Sequence, residues 1–335
     1  MATTFERGHK RKQYYDLILI QSALICFGLL FSGTVLAAAN LYANETSLCR
    51  QGLPPLPEQG VNLNIAESEL MSEASIQLQI VDRKEYRALL RKQGGEEKTL
   101  AQLHLSQPAL PIPDDKREYL ASFLLAPVQE RSLIMGLHNI GLIKFLRSYT
   151  PSQSLDVVES SADLVQAIQT WFGLSSDNQL TLWQDSPSKW LQSRPRNYYD
   201  VIYLEAEALS GQHLLDQTDA SDNTDVVGVV EAIWQRLREQ GVLLVTLASD
   251  HQQAINHQLI ERRIDQILTV FPHVFVWDNP KYNTVMIAAF KHCRIVNPLI
   301  LRERGRLLDQ SLEVGFSFRA FVDRLVAGEY RRLEM

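Results

Sequence analysis

The sequence has only three cysteines among its 335 residues, and their positions exclude the common cysteine-based sites. Cys26, Cys49 and Cys293 are far apart and form no spacing typical of metal ligands, so no metal site is predicted. In an oxidising compartment Cys49 and Cys293 could form a disulfide, and the sequence does not decide whether they do.

An excess of positive charge and a hydrolase signature are also missing. The chain has 33 Lys and Arg residues against 39 Asp and Glu residues, a formal net charge of −6, so bulk attraction to nucleic acid is not expected. Asp250 and His251 are adjacent, but no G-x-S-x-G elbow accompanies them, so a hydrolase triad is not indicated. With 45% apolar and 21% charged residues, the composition is that of an ordinary globular protein.

Charged residues are absent from the 23 positions 17–39, a run long enough to cross a bilayer as a helix. A basic cluster precedes this run, and its far flank is poor in basic residues. The positive-inside rule therefore predicts a single-pass protein of the inner or plasma membrane, with residues 1–16 in the cytoplasm and the globular part on the extracytoplasmic side. Ala37 to Ala39 could instead mark a signal-peptide cleavage site, but the length of the run favours an uncleaved anchor.

Between the predicted membrane helix and the main domain, two shorter regions are expected. Residues 40–60 contain a proline-rich stretch that favours an extended linker. Residues 61–113 predict a small α+β or β-hairpin subdomain, because 75–81 and 100–106 alternate like strands and 83–92 is predicted to be helical.

A glycine-bounded turn between two apolar runs dominates the middle of the chain. The run 132–135 precedes Gly136, an amphipathic segment follows Gly141, and a second run ends on Glu159. This order is that of the first half of a nucleotide-binding βαβ unit. Glycine lets the backbone approach a ligand, and a carboxylate after the second strand can accept hydrogen bonds from a ribose diol.

The remaining sequence continues the alternation of strands and helices. Such alternation predicts a parallel sheet with helices on both faces. Seven strands with a closing pair near the C-terminus resemble the Rossmann-like methyltransferase arrangement, and this resemblance implies that the last strand is antiparallel. The expected strands are 180–183, 199–204, 242–247, 274–277 and 284–290; the expected helices are 114–125, 162–172, 187–192, 226–240 and 251–270, with a helical tail over 301–335.

Residues 75–290 resemble the spermidine synthase family, the aminopropyltransferases built on the S-adenosylmethionine-dependent methyltransferase fold. The family's loop G-G-G-D-G-G matches Gly136-Leu137-His138-Asn139-Ile140-Gly141, which implies a cofactor loop at Gly136, Asn139 and Gly141, with its acid replaced by Asn139. The acid after the second strand matches Glu159, and the acid near the adenine matches Asp185. The resemblance implies a Rossmann-like, seven-stranded methyltransferase domain over residues 114–300.

The same resemblance supplies a possible catalytic residue. The family's fourth strand, D-V-I-I-x-D, matches residues 200–205 and puts Glu205 where the family keeps its catalytic acid. The family's Y-H-E matches Tyr119-Leu120-Ala121, so only Tyr119 remains as a substrate-binding residue. S-adenosylmethionine or its decarboxylated form is the cofactor implied for an active enzyme.

Two functions follow from these residues. The first is an active aminopropyltransferase or methyltransferase. The second is a non-catalytic, membrane-anchored scaffold or binding module with a protein partner and no required cofactor. The altered glycine loop, the incomplete Tyr-His-Glu motif and the predicted extracytoplasmic location favour the second function. His138 and Ile140 are expected to fill space that the family's glycines leave to the cofactor.

Overall fold

The computed structural model of the chain divides into two units, Met1–Gly52 and Leu53–Met335. The residues that the structure describes are 53, 56–57, 60–63, 77–93, 95–110, 114–126, 128–137, 139–150, 152–205, 226–248, 254–279, 281, 284–292, 297–312 and 314–332. The predicted cytoplasmic tail, the membrane segment and most of the linker lie outside these residues. The finer domain boundaries stay predictions.

The predicted transmembrane helix is not supported by the structure. No helix in the described part of the chain is both long and apolar enough to cross a bilayer. Its longest α-helix, Ala254–Leu268, has 15 residues, against the ~20 that a bilayer requires. The predicted segment 17–39 itself lies outside that part. The single-pass anchor and the membrane localisation that depended on it are withdrawn.

A four-stranded antiparallel sheet precedes the main domain. Its strands follow one another in the order β1 (Val61–Leu63), β2 (Gln77–Arg83), β3 (Tyr86–Gln93) and β4 (Glu96–His104). The helix predicted over 83–92 is wrong, because Arg83 ends β2 and residues 86–92 belong to β3 in the interior of the sheet. Arg87, 2% exposed, pairs with Asp82 of β2 and donates to the carbonyl of Trp171, which ties this sheet to the domain that follows.

The main sheet confirms the predicted methyltransferase-like topology. Its strands are β5 (Arg131–Met135), β6 (Ser154–Glu159), β7 (Leu180–Gln184), β8 (Tyr199–Glu205), β9 (Leu237–Ala248), β10 (His273–Asn279), β11 (Thr284–Phe290) and β12 (Glu329–Arg332). They lie in the order β12-β10-β11-β9-β8-β5-β6-β7. Strands β5 to β9 pair in parallel, and β11 runs antiparallel to both β9 and β10. The edge strand β12 is an unpredicted addition to the seven.

Helices cover both faces of this sheet. Two apolar clusters form because alternate residues of each strand point to opposite faces; on β5, Leu133 and Met135 belong to one cluster and Ile134 to the other. A 3₁₀ segment, Asp114–Ala121, leads into the first helix. The helices are α1 (Ser122–Leu125), α2 (Ile140–Tyr149), α3 (Ala162–Phe172), α4 (Pro187–Ser193), α5 (Val226–Arg236), α6 (Ala254–Leu268), α7 (Pro298–Ser311) and α8 (Phe318–Val326).

Two predicted helices are shorter than expected. The helix predicted over 226–240 ends at Arg236, because Leu237 already pairs with Tyr199 of β8 and begins β9. The helical tail predicted over 301–335 is instead α7, α8 and β12. The predicted apolar side of the tail is confirmed in α8, where Phe318, Phe321 and Leu325 are buried.

Candidate functional site

The ends of four adjacent parallel strands form the candidate site. Gly136, Glu159, Asp185 and Glu205 stand at or directly after the carboxyl ends of β5, β6, β7 and β8. Because these strands are parallel and lie in the order β8-β5-β6-β7, all four residues occupy the same edge of the sheet. This edge is where ligands bind in open α/β sheets, and below it is called the carboxyl edge.

The loop after β5 keeps the glycine that its geometry requires. Gly136 has a φ of +104°, and its N–H donates to the carbonyl of Val158 at 2.9 Å. A residue with a Cβ would be strained at that φ, so this glycine has a conformational role. Gly141 is buried in the first turn of α2.

Asn139 begins α2 as its N-cap. Its side-chain oxygen accepts the N–H of Leu142 at 3.1 Å, and the residue is 1% exposed. Its Nδ2 has no hydrogen-bond partner among the described residues. Ile140, the next residue, is fully buried in one of the apolar clusters. His138 lies outside the described residues, so its expected role stays a prediction.

The carboxylate of Glu159 is engaged within its own turn. It is 4% exposed, and its Oε1 accepts the N–H of Ser161 at 2.9 Å and the hydroxyl of Ser160 at 3.3 Å. Ser161 in turn caps α3 by accepting the N–H of Leu164 at 3.2 Å. Glu159 therefore connects the end of β6 to the start of α3.

Asp185 and Glu205 complete the strand-end residues. The carboxylate of Asp185 accepts the N–H of Ser186 at 2.9 Å and lies 3.6 Å from the ammonium of Lys189. Ser186 is the N-cap of α4. Glu205 ends β8, and its backbone is in register with Thr246 of β9.

Tyr119 lies beside the end of β8. Its hydroxyl donates to the carbonyl of Leu204 at 2.8 Å, and the residue is 1% exposed. The ring packs edge-on against Tyr203, with 5.9 Å between the ring centroids. Burial raises the pKa of Tyr203 well above its ordinary value, so this phenol stays protonated and donates to the hydroxyl of Ser122. Tyr119 therefore fastens the 3₁₀ segment to β8.

A buried acid that the sequence analysis did not identify lies at the same edge. Glu118 is 1% exposed, and its carboxylate accepts hydrogen bonds from Trp277 Nε1 and Asn279 Nδ2, each at 3.0 Å. The guanidinium of Arg324, on α8, lies 2.6 Å from the same carboxylate. Since these partners are 159 or more residues away in the sequence, only the neighbouring Tyr119 could have drawn attention to Glu118.

Two threonines extend the polar carboxyl edge beyond β8. Thr246 of β9 and Thr284 of β11 are 6% and 7% exposed, and neither hydroxyl has a hydrogen-bond partner among the described residues. Thr284 is in register with Asn279 and with Ala248, two residues beyond Thr246. The two threonines are therefore diagonal neighbours on one face of the sheet. This part of the edge retains unused hydrogen-bonding capacity.

Two residues that the resemblance assigns to a nucleoside cofactor are already hydrogen-bonded within the fold. Gly136 has the required backbone conformation. A ribose diol, however, needs an accessible carboxylate, and Glu159 is covered and bonded to its own loop. Asn139 is likewise committed to capping α2.

Comparisons with known proteins identify the fold. No protein-family model matches this chain. The chain is 25% identical over 146 residues to an eEF1A lysine and N-terminal methyltransferase from Danio rerio, which covers 43% of this chain but only 20% of that protein.

Solved structures of spermidine synthases cover more of the chain. A spermidine synthase in complex with the transition-state analogue AdoDATO shares 16% identity and a TM-score of 0.51 over 76% of this chain and 82% of the other. A probable spermidine synthase from Corynebacterium glutamicum shares 15% identity and a TM-score of 0.50 over 78% of this chain and 89% of the other. The chain has a spermidine synthase-like fold of the methyltransferase type.

Proposed function

We propose that this chain is a non-catalytic spermidine synthase-like domain that serves as a scaffold for a protein partner. The observation that carries the proposal is the state of Glu159. Its carboxylate is 4% exposed and accepts the N–H of Ser161, so it stabilises a turn where a cofactor-binding domain would present a free acceptor.

Other residues at the carboxyl edge support this proposal in the same way. Asn139 caps α2, and the hydroxyl of Tyr119 is bonded to the backbone carbonyl of Leu204. The first of these hydrogen bonds stabilises the start of α2, and the second holds the 3₁₀ segment against β8. Both groups therefore stabilise the fold itself, as the carboxylate of Glu159 does.

The charge balance around Glu118 adds a further argument. Aminopropyl transfer requires an amine to be held near the reacting carbon, and a carboxylate is the natural partner of a protonated amine. Glu118 is already neutralised by Arg324 and bonded to two neutral donors. An incoming amine would have to displace a guanidinium of this chain to reach it.

A turnover assay with the full-length chain tests the proposal. The chain is incubated with decarboxylated S-adenosylmethionine plus putrescine or spermidine, and separately with S-adenosylmethionine plus a peptide mixture. Methylthioadenosine and S-adenosylhomocysteine, the respective by-products, are measured by mass spectrometry. The proposal expects neither compound above a blank without protein, while a known spermidine synthase run in parallel forms methylthioadenosine. Formation of either by-product by this chain contradicts it.

An active transferase is the second candidate. It is favoured by the retained conformation of Gly136, with a φ of +104°, and by the unpartnered buried hydroxyls of Thr246 and Thr284 at the same edge of the described chain. In that case S-adenosylmethionine or its decarboxylated form would supply an activated carbon, and Glu205 would be the expected base. Methylthioadenosine formation that is lost in Glu205→Gln would establish this candidate.

A further inference from the structure

Four adjacent strands of the main sheet form an edge opposite the carboxyl edge. Strands β5, β8 and β9 begin there, at Arg131, Tyr199 and Leu237. The antiparallel strand β11 ends there, at Phe290. Because these strands lie in the order β11-β9-β8-β5, with spacings of about 4.8 Å, this edge is roughly 14 Å long. It is called the amino edge below.

Positive groups at the amino edge lack acidic partners. Arg131 begins β5, and the exposed Arg196 lies in the loop that leads into β8; neither forms an ion pair with another described residue. Arg236 and Lys291 are only 8% and 5% exposed. Within the described chain their side chains donate to backbone carbonyls and amide oxygens, and not to a carboxylate. Buried charges in proteins are normally paired, so these two groups are exceptions.

The cations of the amino edge also repel one another. Burial lowers the pKa of Arg236, and the charge of Arg196 lowers it further. Burial lowers the pKa of Lys291 as well; Glu239 opposes this shift and Arg196 adds to it. Arg196 therefore lies close enough to act on both groups, and an anion bound beside it would relieve the repulsion.

The acids at this edge do not balance these charges. Glu130 and Asp200 both lie beside the guanidinium of Arg238, at 2.8 Å and 3.0 Å. Glu239 pairs with His292. The whole chain has a net charge of −6, but the amino edge retains a local excess of positive charge. Such a region attracts negatively charged partners.

Aromatic rings hold two arginines beside this edge. The guanidinium of Arg131 lies 4.3 Å from the ring centroid of Tyr198. Arg194, in the same loop as Arg196, lies 3.4 Å from the ring centroid of Trp190 and forms no ion pair within the described chain. A guanidinium stacked on a ring can still donate from its rim to carboxylates. The ring faces that the arginines cover are not open to nucleic-acid bases, which bind by stacking.

We infer that the amino edge binds an acidic, extended segment of the protein partner. This inference rests on the proposed function, because it gives the chemistry of the partner that the scaffold holds. A single carboxylate or phosphate is too small to reach positive groups along roughly 14 Å, whereas an extended peptide covers that length with about four or five residues. Val128, 59% exposed and three residues before β5, offers an apolar contact at the same edge. A protein segment can use both kinds of contact.

Fluorescence anisotropy of labelled peptides with the full-length chain tests the inference. The probes are a peptide of about ten residues in which Glu and Ser alternate, and a matched peptide with Lys in place of Glu. The acidic peptide is expected to bind with a Kd of about 1–100 μM. Its Kd should rise as NaCl is increased from about 50 mM to about 300 mM, and the basic peptide should not bind. The absence of saturable binding of the acidic peptide overturns the inference.

Charge reversals locate the binding surface. Arg131→Glu and Arg196→Glu should each weaken binding of the acidic peptide by at least about tenfold. Arg302→Glu is the matched control, because Arg302 is exposed like Arg196 and forms no ion pair within the described chain but lies on α7; it should change the Kd by less than about twofold. Thermal unfolding of each variant separates loss of binding from loss of folding. Equal effects of Arg196→Glu and Arg302→Glu would place the peptide outside the amino edge and overturn the inference.

A labelled oligothymidylate of about ten nucleotides distinguishes a peptide site from a nucleic-acid site. It should bind at least about tenfold more weakly than the acidic peptide, because the covered rings offer no stacking surface. Oligothymidylate binding as tight as that of the peptide, and equally sensitive to Arg196→Glu, would show that the edge binds nucleic acid instead. No cofactor is present in these titrations, so they test the amino edge alone, and the turnover assay tests the proposed function separately.

Discussion

The carboxylate of Glu159 accepts the backbone N–H of Ser161 at 2.9 Å, two residues further along the chain. This contact makes the acid at the end of β6 part of the turn into α3. Glu159 could serve to stabilise the fold or to bind a ligand. These two roles predict opposite effects of substituting Glu159 on the free energy of unfolding.

Glu159→Ala is expected to lower the free energy of unfolding by about 1–3 kcal/mol, because it leaves the N–H of Ser161 without its acceptor in a partly buried turn. A residue kept for binding is often replaced at no cost to stability, or with a gain. Urea unfolding of the wild type and the variant measures the difference. Asp185→Ala, with a side chain that is 30% exposed, is the control and should cost less. An unchanged or increased stability of Glu159→Ala contradicts the structural role.

A double-mutant cycle on Glu118 and Arg324 should give a coupling energy of about 1–3 kcal/mol. Arg324→Met leaves a buried carboxylate with neutral donors alone, whereas the same change is milder once Glu118→Gln has removed the charge. The control cycle on Arg83 and Glu97 has a similar N–O distance of 2.7 Å but side chains 54% and 34% exposed, and should give about 0–1 kcal/mol. Equal coupling energies in the two cycles would show that the burial of Glu118 does not strengthen its interaction with Arg324.

Gly136→Ala is expected to destabilise the protein by about 1–3 kcal/mol, because alanine is strained at a φ of +104°. Gly315→Ala is the matched control, because that glycine has no positive φ and, its two chain neighbours aside, no atom of the described residues lies within 4 Å of an added Cβ. Thermal unfolding of both variants under identical conditions provides the measurement. If Gly136→Ala is as stable as Gly315→Ala, the turn after β5 does not depend on its glycine.

Lys291 should make stability depend on pH in the alkaline range. Burial lowers the pKa of its ammonium, which donates to Asn197 Oδ1 and to the carbonyl of Leu237. Glu239 opposes this shift and Arg196 adds to it. The pKa of Lys291 is lower in the folded protein than in the unfolded chain. At pH values between these two pKa values Lys291 takes up a proton when the protein unfolds, so its contribution to the free energy of unfolding rises with pH. The stability of the wild type relative to Lys291→Met should therefore increase from about pH 8 to about pH 11; a decrease contradicts the assignment.

The order of strands and helices in the main domain could be predicted because its signals are local. Gly136 and Gly141 bound a turn between two apolar runs, and the structure places β5, α2 and β6 there. The positions of Glu159 and Asp185 at the same edge followed from parallel pairing alone.

The errors have physical causes that single-sequence patterns do not capture. Residues 86–93 lack the alternation of a half-exposed strand because Ala88, Leu89 and Leu90 are all buried in an interior strand. Arg87 lies within the segment predicted to be helical, and its burial depends on an ion pair with Asp82 that the sequence pattern does not show. The helix predicted over 226–240 ran too far because pairing of Leu237 with Tyr199 overrides its helical periodicity.

The sequence placed the candidate residues at the ends of the strands, but it did not indicate their hydrogen-bond partners. Whether Glu159 faces a ligand or its own turn depends on the backbone after β6, which the strand pattern does not determine. Glu118 was missed because Trp277, Asn279 and Arg324 come together with it only in the folded chain. The resemblance assigned Tyr119 to a substrate, which stays a prediction; the sequence did not indicate that its hydroxyl donates to the carbonyl of Leu204.

The central claim is that the carboxyl edge no longer binds a nucleoside, and isothermal titration calorimetry of the full-length chain tests it most directly. The ligands are S-adenosylmethionine, its decarboxylated form and methylthioadenosine, each titrated up to about 1 mM. We predict no saturable heat for any of them, corresponding to a Kd weaker than about 1 mM, or a binding free energy smaller than about 4 kcal/mol. Saturable binding with a Kd in the micromolar range, weakened at least about tenfold by Glu159→Ala, would contradict the account.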